Sequence, residues 1–126
     1  MNEPQTGKRR IVTLVYVFDP AGSVLLMRRN RAPNRGLYSP PGGKVEAGES
    51  PKDCAIRELR EETGLDADPA SVHLAGLVTE IGYDEPGDQW IMFLYRADRW
   101  TGTLTPDTPE GSFAFVPVEE IDALPI

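Results

Sequence analysis

The chain has 126 residues, a length that one domain fills and that suffices to bury a core. Hydrophobic residues make up 40% and charged ones 26%, with no repeat period or low-complexity tract, which excludes a disordered or repetitive chain. The net charge of -7 repels a nucleic-acid backbone, so a nucleic-acid polymer is excluded as the expected partner.

The polar opening Met1 to Arg10 lacks the apolar segment and cleavage site of a signal peptide. Ile11-Val-Thr-Leu-Val-Tyr-Val-Phe18 is rich in β-branched and aromatic residues and predicts a strand, far too short to cross a bilayer. The two features together predict a cytoplasmic protein with no membrane partner. Asp19-Pro-Ala-Gly22 supplies a turn that joins this strand to a second at Ser23 to Met27. Arg28 to Pro41 carries four arginines and three prolines and reads as a loop, after which Gly42-Gly43 lets the backbone bend tightly.

Ser50 opens a helix: its hydroxyl can cap free amides, Pro51 suits the first turn, and Asp53 completes a capping-box-like pair. Gly64 ends it. Strands are expected at Val72 to Ile81, Trp90 to Tyr95 and Phe113 to Val116, with a turn at Asp84 to Asp88 and a short final helix from Pro117 to Leu124. Strands before and after one well-marked helix predict a mixed α/β chain, several of whose β-segments share one sheet. Residues 1–126 are expected to form a single domain, with a truncated C-terminus left open because the chain stops just after the last helix begins.

Cys54 and His73 are each the only residue of their kind. Neither a disulfide nor a cysteine or histidine metal cluster can form within the chain, and both residues are expected simply to pack. A metal would have to be held by oxygen, which selects a hard cation such as Mg²⁺ or Mn²⁺. Along the helix, Glu58, Glu61 and Glu62 project within about 100° of arc, beside a stripe of Ala55, Ile56 and Leu59. Taken alone, such a run of acids is ordinarily a solvated face. Yet carboxylates three and four residues apart repel by about 0.2–0.5 kcal/mol per pair, and a divalent cation would remove that repulsion.

Gly43, five residues, Glu49, seven residues and then Arg57-Glu58-Leu59-Arg60-Glu61-Glu62-Thr63-Gly64-Leu65 resemble the Nudix box without a departure. The resemblance implies the Nudix-type α/β/α sandwich with a mixed sheet. It further implies a Mg²⁺-dependent hydrolase that cuts a diphosphate linkage in a nucleoside diphosphate derivative, with Mn²⁺ as a substitute metal. In that family, positions matching Glu58, Glu61 and Glu62 hold the metal, helped by a carbonyl of the glycine turn, here Gly43. Arg57 can orient Glu61 from four residues away. Glu49 is either an outer metal partner or a charge complement to the helix N-terminus. The catalytic base is Glu61 or Glu110, the latter in the loop before the last strand.

Arg28, Arg29, Arg31 and Arg35 cluster ahead of the glycine turn and can steer phosphate, Arg28 and Arg35 being the candidates carried forward with Gly42. Alternation would send Arg28 and Arg29 to opposite faces. Tyr38, Trp90 and Trp100 can stack on a base. The segment Pro41 to Glu49 is similar to the MutT-like branch, which implies a small-molecule nucleotide substrate, foremost a nucleoside triphosphate such as 8-oxo-dGTP split to monophosphate and pyrophosphate. The alternatives are ADP-ribose, a diadenosine polyphosphate, for which Tyr83 is the pointer, or a non-catalytic nucleotide-binding regulator. The oligomeric state stays open, a homodimer included.

Overall fold

The computed structural model describes residues 7–32, 34–82 and 85–125. Tyr83, and Asp84 of the expected turn, lie outside them. In chain order the elements are β1 (Arg9–Val17), β2 (Ser23–Arg29), β3 (Tyr38–Ser39), β4 (Gly42–Lys44), α1 (Pro51–Thr63) and β5 (Leu65–Ala67). A 3₁₀ turn (Pro69–Ser71) follows, then β6 (His73–Ile81), β7 (Gln89–Ala97), β8 (Trp100–Gly102), β9 (Gly111–Pro117) and a 3₁₀ helix (Val118–Ala123).

Several of the strands share one sheet, as expected, but not all of them do. They divide into a four-stranded sheet ordered β4-β1-β7-β6, a three-stranded sheet ordered β3-β2-β9, and the pair β5-β8. β1 runs parallel to β7 and antiparallel to β4, which makes the larger sheet mixed. The turn at Asp19–Gly22 joins β1 to β2 as expected, but the two strands do not pair as a hairpin. Beyond the Asp19–Gly22 turn only Phe18 and Val24 bridge, because β2 takes β9 as its ladder partner along its whole length. That ladder extends β2 past Met27, so Arg28 and Arg29, expected in a loop, are strand residues opposite Ser112 and Gly111. The final helix is 3₁₀ rather than α.

Helix α1 forms where its residues demand. Ser50 accepts the Asp53 amide at 3.1 Å, Pro51 occupies the first turn, and Gly64 adopts φ 80°. A Cβ at Gly64 would lie 2.7 Å from the Thr103 carbonyl, so the helix stop is also a close approach. The face made by Cys54, Ala55, Leu59 and Thr63 is buried, packed with Val15, Val17, Leu25, Leu65 and Tyr95 in one core. Leu59 is fully buried, and Leu59→Ala would cost about 2–5 kcal/mol. Cys54 packs as expected. His73 does not: it is exposed at the start of β6, because nothing among the described residues covers that edge of the sheet. No helix among the described residues is long and apolar enough to cross a membrane.

Candidate functional site

The site grows from the contact between the glycine turn and the exposed edge of α1. β4 lies antiparallel to β1, Gly43 opposite Thr13 and Gly42 opposite Leu14. A Cβ at Gly42 would collide with the Thr13 carbonyl, and one at Gly43 would fit only by displacing the Glu58 carboxylate. Bare backbone therefore faces the helix. The Gly42 amide uses this to donate to Glu62 Oε2 at 3.0 Å.

Arg57 organises the other acids. Its Nε and Nη2 donate to Glu49 at 2.6 and 3.0 Å in a two-pronged pair, while Nη1 donates to Glu58 at 3.0 Å and Glu61 at 3.1 Å. Nη2 also reaches the Lys44 carbonyl at 3.3 Å. A planar guanidinium with five donors can hold this many acceptors at once, which an ammonium cannot. The hydrogen bond from Arg57 holds the Glu49 carboxyl at about 2, well below its ordinary value, and the same bond raises the arginine.

The three helix acids differ sharply in environment. Burial raises Glu58, against the pull of Arg57. Burial also pushes Glu62 up to about 7, opposed by the Gly42 amide and reinforced by the charges of Glu58, Glu110 and Glu61. Glu61 projects into solvent, with its side chain 58% exposed. The trio thus shares one edge of the helix without meeting at a point. Among the described residues no three His, Cys, Asp or Glu side chains are drawn closely enough together to hold an ion unaided. Mutual repulsion and the competing bonds from Arg57 and Gly42 account for the spread.

Two clefts meet at Glu62. One, of about 410 Å³, is acidic: Glu61, Glu62 and Arg60 from α1 face Asp107, Thr108 and Glu110 from the loop before β9. The sequence placed Glu110 near this region, and the structure puts it in the same cleft as Glu61 and Glu62. The other, of about 620 Å³, has a mainly apolar wall of Val12, Leu14 and Tyr16 from β1, Trp90 and Met92 from β7, and Leu37 and Tyr38. Gly42, Gly43 and Glu62 line it as well, and Met27 and Phe113 are common to both clefts.

Of the aromatic candidates, Tyr38 and Trp90 therefore reach this cleft. Trp100 does not: it stacks on Phe115 with ring centroids 5.7 Å apart and serves the core. Arg28 and Arg35 are not brought to the carboxylates either, lining instead a separate pocket of about 250 Å³ with Asn30 and Ser112. Arg29 lines both that pocket and the apolar cleft. Leu14, Tyr16 and Met92 were missed in the sequence. Their signal was alternation: Val12, Leu14 and Tyr16 stand two apart on β1, on the face opposite the helix.

Residues 7–126 match the NUDIX domain, essentially the whole chain. The chain belongs to the Nudix hydrolase family. It is 40% identical over 125 residues to an uncharacterized Nudix hydrolase of Bacillus subtilis, YvcI, covering 96% of this chain and 73% of that protein. It is also 37% identical over 95 residues to the oxidized purine nucleoside triphosphate hydrolase of Danio rerio, covering 74% of this chain and only 57% of the fish protein. Among solved structures it resembles the MutT protein of Bacillus halodurans, with a TM-score of 0.79 and 31% identity over 93% of this chain and 74% of that one. The Nudix fold explains why the glycine turn and the acidic helix edge, distant in sequence from β7 and β9, close on a common site.

Proposed function

We propose that this Nudix hydrolase converts a nucleoside triphosphate to the monophosphate and pyrophosphate, with oxidised purine nucleotides such as 8-oxo-dGTP as the first candidates and Mg²⁺ or Mn²⁺ as cofactor. The observation that carries the reading is Glu62. It lines both the apolar, aromatic-walled cleft that suits a base and the acidic cleft that suits metal-bound phosphates. The likeness to the Danio rerio enzyme supports the choice of an oxidised purine triphosphate.

The donor set fits a hard cation. Every group on this edge offers oxygen, and the Gly43 position leaves room for the Glu58 carboxylate against the turn. Glu58, Glu61, Glu62 and the Gly43 carbonyl are the residues that would hold Mg²⁺. Bound there, the ion would offset phosphate charge and lower the barrier to attack by water at phosphorus. The remaining tasks fall to the protein. Arg57, fixed by Glu49, holds Glu58 and Glu61 in place. Glu61 or Glu110 accepts the proton of the attacking water, both facing the same cleft. Tyr38 and Trp90 bracket the base, Gly42 shapes the cleft floor, and Arg28 and Arg35 draw phosphate toward this side of the molecule.

Product release from 8-oxo-dGTP, the common nucleoside triphosphates, ADP-ribose and diadenosine tetraphosphate, with and without Mg²⁺, tests the proposal. Metal-dependent release of pyrophosphate that favours 8-oxo-dGTP is expected. Preference for ADP-ribose or the dinucleotide would overturn the substrate assignment and leave the metal chemistry standing. Turnover indifferent to added metal and to chelator would overturn the cofactor assignment.

A further inference from the structure

Among the described residues β6 is an outer edge of the four-stranded sheet, paired to β7 on one side only. Unpaired N–H and C=O groups on such an edge template association, so soluble proteins usually shorten edge strands or interrupt them with proline, lysine or charge. β6 is long, nine residues, and contains neither proline nor lysine; Glu80 is its one carboxylate. Its only irregularity is a bulge between Leu74 and Gly76. Every residue in it except Gly76 is exposed, including Leu74 at 57%, Leu77 at 56%, Val78 at 40% and Ile81 at 72%. The register sets Leu77 beside Phe93 on the face that α1 covers elsewhere, and Val78 beside Met92 on the opposite face. Both faces of the strand thus present exposed apolar side chains, Leu77 on one and Val78 on the other.

We propose that β6 is a self-association edge, where two copies of the chain pair β6 with β6 antiparallel about a twofold axis near Leu77 and join their four-stranded sheets into one. A second copy fits better than an unrelated partner for reasons in the strand itself. A twofold pairing asks one strand to supply both halves of the interface, and β6 offers open backbone groups along an edge whose Leu, Val and Ile side chains can pack against their equivalents. His73 and Glu80 lie near opposite ends of β6 and on one face, since their β7 partners Arg96 and Trp90 share a face. Antiparallel pairing carries His73 of one copy toward the Glu80 end of the other, so unlike groups approach at both ends. The strand is nearly neutral in a chain of charge -7, which makes it an edge that two copies can bring together without crowding carboxylates.

Sedimentation of the whole chain across the micromolar range, without substrate, tests the pairing. A concentration-dependent dimer is expected, weakened about a hundredfold by Leu77→Lys or Ile81→Lys. Both positions are exposed in the single chain, and circular dichroism verifies that the variants fold. Amide hydrogen exchange on the unmodified chain gives an independent readout, with the Gly76 to Ile81 amides slowing as concentration rises. A chain that stays monomeric throughout, a dimer indifferent to both substitutions, or β6 exchange independent of concentration would each overturn the proposal. Nucleotide turnover per chain does not enter these measurements, so they stand or fall apart from the substrate assignment.

Discussion

Glu58 places its carboxylate where any side chain at position 43 would begin. A Cβ on Gly43 would sit 2.7 Å from Glu58 Oε2, with the rest of the carboxyl group closer still. The glycine is required here for space and not for backbone freedom, since its φ lies outside the left-handed region. Gly43→Ala is therefore expected to displace Glu58 and leave the fold intact. Activity at limiting Mg²⁺ should fall about 10–100-fold while the melting temperature stays within a few degrees. Unchanged Mg²⁺ dependence in a folded Gly43→Ala protein would show that Glu58 works equally well elsewhere.

Arg57 holds Glu49 through two parallel hydrogen bonds while still reaching Glu58 and Glu61. Lysine keeps the charge but cannot reproduce the fork. Arg57→Lys should weaken apparent Mg²⁺ affinity about 10–100-fold, and Glu49→Gln should produce part of the same loss by freeing the guanidinium. Mg²⁺ titrations of initial rate separate this from a simple fall in kcat. A Lys variant with wild-type metal affinity would reduce Arg57 to a surface ion pair.

Glu61 and Glu110 share the acidic cleft, and single substitutions assign their roles. Loss of the residue that takes the proton should lower kcat by about 10²–10⁴-fold. If Glu110→Gln does so while Glu61→Gln mainly weakens Mg²⁺ binding, the base lies in the loop before β9. The reverse outcome puts it on α1. Near-wild-type rates in both variants would remove each of them from the proton transfer.

Glu62 titrates at about 7, so its ionised form is the one disfavoured by folding. Its neutral form adds stability in full below the ordinary glutamate range, and this contribution is lost as pH rises through the folded value. A divalent cation needs the ionised form. Mg²⁺ affinity should thus weaken roughly fivefold between pH 7 and pH 6, and added Mg²⁺ should raise the melting temperature more at pH 8 than at pH 6. Glu62→Gln should flatten this dependence. A metal-induced shift equal at both pH values would show that Glu62 does not control binding.

Asp88 is buried and accepts the Lys8 amide at 2.8 Å and Arg10 at 2.7 Å, and the arginine holds its carboxyl below the ordinary aspartate value. Arg10 also lies over the Trp90 ring, 5.1 Å from its centroid. Stability from Asp88 is present above the ordinary aspartate range and lost as pH falls through the lowered folded value. Asp88→Asn should melt several degrees below the wild type at neutral pH, and the gap should close in acid. Parallel melting curves with no gap at pH 7 would refute the link.

The sequence carried local features well because local chemistry causes them. Ser50, Pro51 and Gly64 bound α1 where capping requires, and the spacing of Glu58, Glu61 and Glu62 placed them on one edge. Pairing was less legible. The run Ile11 to Phe18 looks the same whether its neighbour is β2 or β7, so the exchange of partners after Asp19–Gly22 was invisible, as was the division into separate sheets. Arg28 was read as loop because arginine and proline dominate its surroundings, while its strand conformation depends on Ser112, far along the chain. The apolar cleft was missed for the same reason: its wall exists only once β1 and β7 stand side by side in register.

That side-by-side arrangement also dictates an order of events. β1 leaves the ribosome long before its parallel neighbour β7, which ends only at Ala97. Until then β1 can pair with β4 alone, and the closing step must bring together segments separated by most of the chain, a costly loop to draw shut. The wall of the apolar cleft therefore cannot form until β7 has been made. A nascent chain halted before β7 would hold the complete acidic helix and glycine turn, the whole sequence signature of the family, with no cleft in which to use them.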